Sequence, residues 1–184
     1  MPEMDQAKPQ LGLILDALSF AAHKHRDQRR KDPEASPYIN HPIELAHVLC
    51  NEAGINDTET LCAAILHDTL EDTATSADEL SGRFGALICS IVQEVSDDKT
   101  LPSKTRKRLQ VEHAACSSDQ AKLVKLADKI CNLRDIASSP PVGWSLARRQ
   151  EYFEWAREVI DPMRGIHADL EAIFDAAYAD KPVS

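Results

Sequence analysis

A histidine and an aspartate stand side by side at His67 and Asp68, at the end of an apolar run. Glu71 follows His67 by four residues, and Asp72 has the same spacing from Asp68. In a continuous helix each of these pairs would share a face. Four titratable groups so close together repel and desolvate one another unless a cation or a ligand compensates. The pattern predicts a metal site, with a solvated acidic helix end as the alternative.

A second segment, residues 122–135, carries an apolar stripe and a separate polar stripe. Asp128, Asn132 and Asp135 recur at helical spacing on the polar stripe. A carboxylate that shares a stripe with an amide, inside an otherwise apolar helix, suggests a metal ligand with a hydrogen-bonding neighbour. The alternative is an exposed stripe on an amphipathic helix.

His41 stands immediately before Pro42, at the expected start of a helix. Alone, a histidine at this position would more often be structural. With His67, Asp68 and Asp128 it forms a mixed nitrogen and oxygen set that suits Mn²⁺, Fe²⁺ or Zn²⁺ and leaves positions for water and substrate. The sequence therefore favours these four residues as ligands of one ion.

Two basic clusters, residues 23–31 and 104–108, are candidates for phosphate binding. The formal net charge is −9, so long-range attraction to nucleic acid or to an anionic membrane is disfavoured. An anionic substrate must then be captured by a local cluster, and Arg30 is also able to stack on a base. Solvated helix faces are the alternative explanation for part of these charges.

The elements that must position these groups are predicted to be almost all helical. The 184 residues include only 6 glycines, and no succession of alternating strands with turn signals occurs. We predict one all-α domain over residues 1–184, folded as a single helical bundle. The predicted helices cover about 11–28, 42–54, 57–67, 76–85, 86–95, 103–116, 119–133, 145–161 and 167–179.

Local signals set several of these boundaries. Asn56 or Asp57 is expected to cap the helix that leads to His67, and Ser76 with Glu79 is typical of a capping box. The five cysteines form no CxxC pair and lie mostly among apolar residues, which predicts buried free thiols in a reducing compartment. The apolar stretch 11–22 is too short to cross a bilayer, so we expect a cytoplasmic protein.

Taken in order, these motifs closely resemble the hydrolase domain of the RelA/SpoT family, which belongs to the HD superfamily. The similarity is greatest to its single-domain small alarmone hydrolases and extends from about residue 21 to residue 156. The matching segments are 30–34, 37–42, 66–73, 125–129 and 132–134. The resemblance implies an HD-type helical bundle.

The resemblance also implies roles for individual residues. The ligands of a Mn²⁺ ion would be His41, His67, Asp68 and Asp128. Glu71 and Asp72 would position and activate the attacking water. The nucleotide pocket would be lined by Arg30, Lys31, Tyr38, Asn132 and Tyr152. Similar proteins usually carry a lysine where this chain has Ser103, and Lys104 is the expected substitute.

By the same resemblance, the expected reaction removes the 3′-pyrophosphate from guanosine tetra- or pentaphosphate and yields GDP or GTP. The expected partner is this small nucleotide, with no nucleic acid polymer and no membrane. A covalent route is not expected, because the chain has no nucleophilic serine or cysteine motif and no P-loop. Two alternatives stay open: hydrolysis of another ribose phosphate, such as the 2′-phosphate of NADPH, and a non-catalytic alarmone-binding module. Glu71 and Asp72 argue against the second, since a sensor needs no water-positioning pair.

Overall fold

A computed structural model of the protein describes residues 10–183, and these fold as a set of packed helices. The α-helices are α1 Gln10–Lys24, α2 Asn40–His47, α3 Thr58–Leu66, α4 Thr69–Asp72, α5 Ala77–Phe84, α6 Ala86–Val95, α7 Ser103–His113, α8 Asp119–Ser138, α9 Leu146–Ile160 and α10 Ala168–Ala179. Within residues 10–183 no β-strand occurs, and one isolated bridge pairs Arg29 with Pro37. The predicted all-α class is therefore confirmed. One domain over residues 1–184 stays a prediction, and residues 1–9 and 184 lie outside the described part.

Helices α3 and α8 form the centre of the molecule. Every residue of α3 except Glu59 is buried, and α3 packs against α1, α2, α6 and α8. From residue 61 to residue 66 the α3 sequence is apolar all round, as expected for a helix enclosed by others. Asp57 caps it, with Oδ2 accepting a hydrogen bond from the Thr60 backbone N–H at 2.9 Å. The cap predicted at Asn56 or Asp57 is thus confirmed for Asp57.

Two predicted helix ends differ from the structure. Helix α1 ends at Lys24 rather than near residue 28. Residues 28–38 form a loop instead, which two backbone hydrogen bonds close. The Arg30 N–H donates to Ser36 O at 2.8 Å, and the Tyr38 N–H donates to Gln28 O at 3.2 Å. Helix α8 continues to Ser138, beyond the predicted end at residue 133, because buried Ile136 extends its apolar stripe.

The capping and stop signals are confirmed in part. Ser76 Oγ accepts a hydrogen bond from the Glu79 backbone N–H at 3.1 Å, but the Glu79 carboxylate accepts from Lys24 Nζ instead of closing the capping box. The chain leaves α5 at Gly85, whose φ of 92° suits glycine. After α2 a π-helical turn, Val48–Glu52, carries the chain towards Gly54, the predicted stop.

The core of the bundle is aliphatic and aromatic, and its largest fully buried side chains include Phe153 and Phe174. All five cysteines are free, as predicted, although Cys116 is exposed and Cys50 only half-buried. Among the described helices, none combines the length and the apolar character that crossing a membrane requires.

Candidate metal centre and nucleotide cavity

His67 and Asp68 occupy a break between two helices. Helix α3 ends at Leu66, close to the predicted end at residue 67, and α4 begins at Thr69, so residues 67–72 do not continue α3 as one helix. Nδ1 of His67 lies 2.8 Å from the Ala64 carbonyl oxygen, which requires a proton on Nδ1 and leaves Nε2 as the candidate ligand atom. The break directs both side chains of the pair towards one cavity.

The four predicted ligands lie together, although they come from distant parts of the chain. Ligand atoms of His41, His67 and Asp128 all lie within 4.8 Å of one another. Nε2 of His41 is 3.2 Å from Asp128 Oδ1. Asp68 adjoins the group, because its Oδ2 is 2.9 Å from His67 Nε2 and also accepts a hydrogen bond from the Tyr38 hydroxyl.

The charges in this cluster favour a cation. Burial lowers the pKa of His67, but the adjacent Asp68 carboxylate and then Asp128 raise it, to about 9 overall. Burial raises the pKa of Asp68 and of Asp128, yet the neighbouring histidines, and Lys129 in the case of Asp128, hold both below the ordinary range. Two ionised carboxylates in a nearly enclosed space need positive charge nearby, which a metal ion can supply.

Unsatisfied ring nitrogens support the same fit. Nε2 of His67 and Nδ1 of His41 are buried without a hydrogen-bond partner. Nε2 of His67 lies 2.9 Å from Asp68 Oδ2, which makes it the ring nitrogen that faces the carboxylates. Buried polar nitrogens are normally paired in proteins, so an imidazole nitrogen left open beside two carboxylates fits a divalent cation.

Asp128 is held by its neighbours on α8. Asn132 Nδ2 donates to Asp128 Oδ1 at 2.6 Å, and Lys129 Nζ lies 2.9 Å from Oδ2. Arg30 reaches the same stripe, where its guanidinium pairs with Asp135. Asp128 and Asn132 thus line the cavity, whereas Asp135, the third residue of the stripe, is exposed.

The cluster opens onto a cavity of about 600 Å³. Besides the four candidate ligands, five residues proposed from the sequence line it: Arg30, Tyr38, Glu71, Asn132 and Tyr152. Glu71 is already engaged, since its carboxylate accepts from the Asp97 backbone N–H at 3.0 Å and from Arg106 Nη1 at 3.4 Å. Burial raises the pKa of Glu71.

Three residues named from the sequence lie elsewhere. Lys31 and Asp72 line an adjoining cavity of about 310 Å³, and the Asp72 carboxylate pairs with Lys99. Lys104 is exposed and lines neither cavity. The expected substitution of Lys104 for the lysine missing at Ser103 therefore has no support from the geometry.

Sequence reasoning missed several residues of the cavity wall. Most are cationic or aromatic: Lys125, Lys129, Trp144, Arg148 and Trp155. Arg106 and Lys107, which also line the cavity, belong to the basic cluster 104–108 proposed for phosphate binding. A signal was present for α7, because Ser103, Arg106, Lys107 and Gln110 follow the i, i+3, i+4, i+7 spacing of one helix face, and all four line the cavity. Lys104 falls off that face.

A helical bundle that gathers two histidines and two aspartates beside a cationic cavity has the architecture of a metal-dependent hydrolase that acts on phosphate esters. The chain belongs to the HD domain family, whose model matches residues 17–153. An HD domain implies a divalent metal cofactor, and the cluster of His41, His67 and Asp128 is the candidate site for it.

Relatives within this family cover nearly the whole chain. A Xenopus tropicalis protein named guanosine-3′,5′-bis(diphosphate) 3′-pyrophosphohydrolase MESH1 is 55% identical over 172 residues, which span 94% of this chain and 96% of that protein. The Homo sapiens protein of the same name is 59% identical over 158 residues, 86% of this chain and 88% of that protein. A solved structure of a metazoan orthologue of SpoT that hydrolyses ppGpp superimposes with a TM-score of 0.89 at 47% identity, covering 94% of this chain and 97% of that one.

Proposed function

We propose that this protein is a metal-dependent guanosine-3′,5′-bis(diphosphate) 3′-pyrophosphohydrolase, which converts guanosine tetra- or pentaphosphate to GDP or GTP and pyrophosphate. The observation that carries the proposal is the ligand cluster that opens directly onto a cavity walled by cationic and aromatic side chains. Such a wall suits a base and several phosphates together. The MESH1 proteins, similar over nearly their whole length, support the same substrate.

We further propose His41, His67, Asp68 and Asp128 as the residues that hold the metal, with Mn²⁺ as the ion and Fe²⁺ or Zn²⁺ as the other candidates. When bound, the ion supplies Lewis-acid polarisation of a phosphoryl oxygen and of the attacking water. Tyr38 donates to Asp68 and Asn132 donates to Asp128, so each carboxylate is oriented by a hydrogen bond from a residue that lines the cavity.

Glu71 is the residue placed to handle the water proton. It lines the cavity beside Asp68, and its raised pKa suits a group that accepts a proton and later returns it. Asp72, its predicted companion, faces the adjoining cavity and would have to leave Lys99 before it could act with Glu71. We therefore propose that Glu71 has the larger share of water activation.

The nucleotide would occupy the cavity between α7, α8 and α9. Arg30 lies 5.8 Å from the centre of the Tyr38 ring, and the Tyr152 ring lies 5.2 Å from that of Trp155, centre to centre. We propose that Arg30, Tyr38, Asn132 and Tyr152 contact the nucleoside, and that Lys31 reaches it from the adjoining cavity. Lys104 stays a candidate from the sequence alone. The partner is a small nucleotide and the protein is cytoplasmic in this proposal.

Product identification tests the proposal. The purified chain, reconstituted with Mn²⁺, is incubated with guanosine tetraphosphate in ¹⁸O-enriched water, and the products are separated and analysed by mass. Attack at the phosphorus attached to the 3′ oxygen predicts GDP without label and pyrophosphate with one labelled oxygen. Asp128→Ala, which removes a ligand, is the control for contaminating activity.

NADPH, assayed in parallel, distinguishes the alternatives. Faster release of phosphate from NADPH than of pyrophosphate from guanosine tetraphosphate would replace the proposed substrate by another ribose phosphate. Tight binding of guanosine tetraphosphate without any product would identify a binding module instead of an enzyme.

A further inference from the structure

Lys125 on α8 is a nearly buried cation that faces the cavity without an acidic partner. Its side chain is 9% exposed and lines the same cavity as the ligand cluster. Within residues 10–183 its ammonium group makes no hydrogen bond and no ion pair. Lys129, one turn further along the helix, pairs with Asp128 at 2.9 Å. Lysines are almost never so buried unless paired, so the position of Lys125 calls for a negative partner that the chain does not provide.

The other unpaired cations of the cavity wall are compensated differently. Lys107 Nζ lies 4.8 Å from the centre of the Trp155 ring, and the Arg148 guanidinium lies 4.3 Å from that of Trp144. An aromatic face attracts a cation even where no acid is present. Lys125 has no aromatic ring beneath it among the described residues, so it is the cation of this wall that an arriving anion would stabilise most.

The electrostatic surroundings point the same way. Burial, and after it the charge of Lys129, lower the pKa of Lys125, while Asp97, Asp128 and Glu94 act on it only from a distance. The free protein therefore holds this ammonium group at a cost to its stability. Side chains kept in place at such a cost are typical of binding sites, where a ligand supplies the missing interaction.

The place of Lys125 on α8 indicates which part of a substrate it would meet. It precedes Asp128 by three residues, a rise of about 4.5 Å along the helix on neighbouring faces. It also lies where the main cavity adjoins one of about 220 Å³ that Asp97 and Arg106 line. A phosphoryl group at the ligand cluster would thus have a second phosphoryl group, bonded to it, within reach of the Lys125 ammonium.

We propose that Lys125 binds the terminal phosphoryl group of the 3′-pyrophosphate, the one that does not touch the metal ligands, while water attacks the other phosphorus and the 3′ oxygen of GDP leaves. This inference rests on the proposed function and deepens it, because it makes the site selective for pyrophosphate esters over monophosphate esters. Lys125 forms no covalent bond in this role. It balances the negative charge of the terminal phosphoryl group through a charge-assisted hydrogen bond and so holds the pyrophosphate in place for attack by water.

Lys125→Met in the full, Mn²⁺-loaded chain tests the role, with inorganic pyrophosphate and inorganic phosphate as probes in calorimetry. Pyrophosphate should bind about 10- to 100-fold more weakly to the variant, the effect of losing a charge-assisted hydrogen bond, while phosphate binding changes less. The kcat/KM for guanosine tetraphosphate should fall by a similar factor, and that for guanosine 5′-diphosphate 3′-monophosphate much less. Metal content should be unchanged, and the melting temperature should hold or rise.

Lys122→Met is the matched control. Lys122 lies one turn earlier on α8, does not line the cavity and is 4.0 Å from Asp119. Its replacement should leave pyrophosphate binding unchanged. If Lys125→Met binds pyrophosphate with wild-type affinity, the inference is overturned. A lower melting temperature together with loss of metal would also overturn it, because the role of Lys125 would then be structural. If the wild-type chain does not hydrolyse guanosine tetraphosphate, the proposed function fails, whereas the calorimetric comparison still decides the role of Lys125.

Discussion

Asp128 bears several interactions at once. Its carboxylate contacts His41, Lys129 and Asn132, all within 3.2 Å. A carboxylate so engaged stays in one orientation before any ion arrives, which is how outer hydrogen bonds prepare a metal site. Removing the Asp128 carboxylate leaves Lys129 buried without its counter-charge. The substitution therefore removes a metal ligand and also unbalances the charge of the site.

At this scale, His67→Ala and Asp128→Ala are each expected to lose the metal and the activity together. One ligand fewer in an open site weakens both ion retention and water activation. Metal content by atomic emission, measured beside turnover of guanosine tetraphosphate, is the check. His23→Ala is the control, because His23 is exposed on α1 and does not line the cavity. Full metal content in either ligand variant would remove that residue from the site.

The second prediction at this scale separates Glu71 from the ligands. Glu71→Gln keeps the shape of the side chain, so metal and nucleotide should still bind, but turnover should fall about 100-fold, the scale of losing a positioned general base. Asp72→Asn should lower turnover by a smaller factor, because Asp72 faces the adjoining cavity and pairs with Lys99. Single-turnover rates at saturating nucleotide measure both. Wild-type rates for Glu71→Gln would make its role structural.

Among the elements, α7 is the one whose position depends most on polar contacts. None of the α7 residues is buried, and the first buried residue after the helix is Ala114. It is held to the bundle by Trp155 Nε1, which donates to the Lys107 carbonyl at 3.1 Å, and by Gln110, which donates to Asp97 at 2.9 Å. Elements with few buried apolar contacts open at low free energy, so this wall of the cavity is expected to be the mobile one.

Trp155→Phe tests that view. The substitution keeps an aromatic ring but removes the indole donor, so α7 loses its tie to α9. Amide hydrogen exchange over residues 103–113 should accelerate about fivefold, as expected for the loss of a hydrogen bond worth about 1 kcal/mol, while the melting temperature changes little. Trp144→Phe, whose indole has no such bond to α7, should leave exchange unchanged. Equal protection in both variants would show that packing alone holds α7.

For the molecule as a whole, the buried acidic cluster couples the metal to folding. His41, His67 and Asp128 bring their ligand atoms within 4.8 Å of one another, and Asp68 lies beside His67, so the cluster joins α2, the end of α3 and α8. An ion that binds only this folded arrangement stabilises it by mass action.

Chelation should therefore destabilise the entire fold. A metal present at about 100 times its dissociation constant contributes roughly 2.7 kcal/mol, and for a domain of this size its removal should lower the melting temperature by about 5 to 10 °C. Scanning calorimetry before chelation, after it and after adding back Mn²⁺ makes the measurement. The same series on Asp128→Ala should show no shift, and a wild-type transition insensitive to chelator would mean that no ion is bound at this site.

Much of the candidate site could be predicted from local sequence. The His67-Asp68 pair, the spacing of Asp128 and Asn132, and the caps at Asp57 and Ser76 are all relations within a few residues, which helical geometry and turn chemistry constrain directly. The helical class followed from the same periodicity. These features need no knowledge of which element packs on which.

Tertiary packing decided the rest. His41 and Asp128 are 87 residues apart and meet only because α2 and α8 pack together. The face of α7 that lines the cavity, with Arg106 and Lys107 in place of Lys104, depends on the position of α9. Burial by other elements also leaves Lys125 without a partner. Local spacing limits which residues can share a helix face, whereas the surface that each face covers depends on how all the helices bury their apolar sides at once.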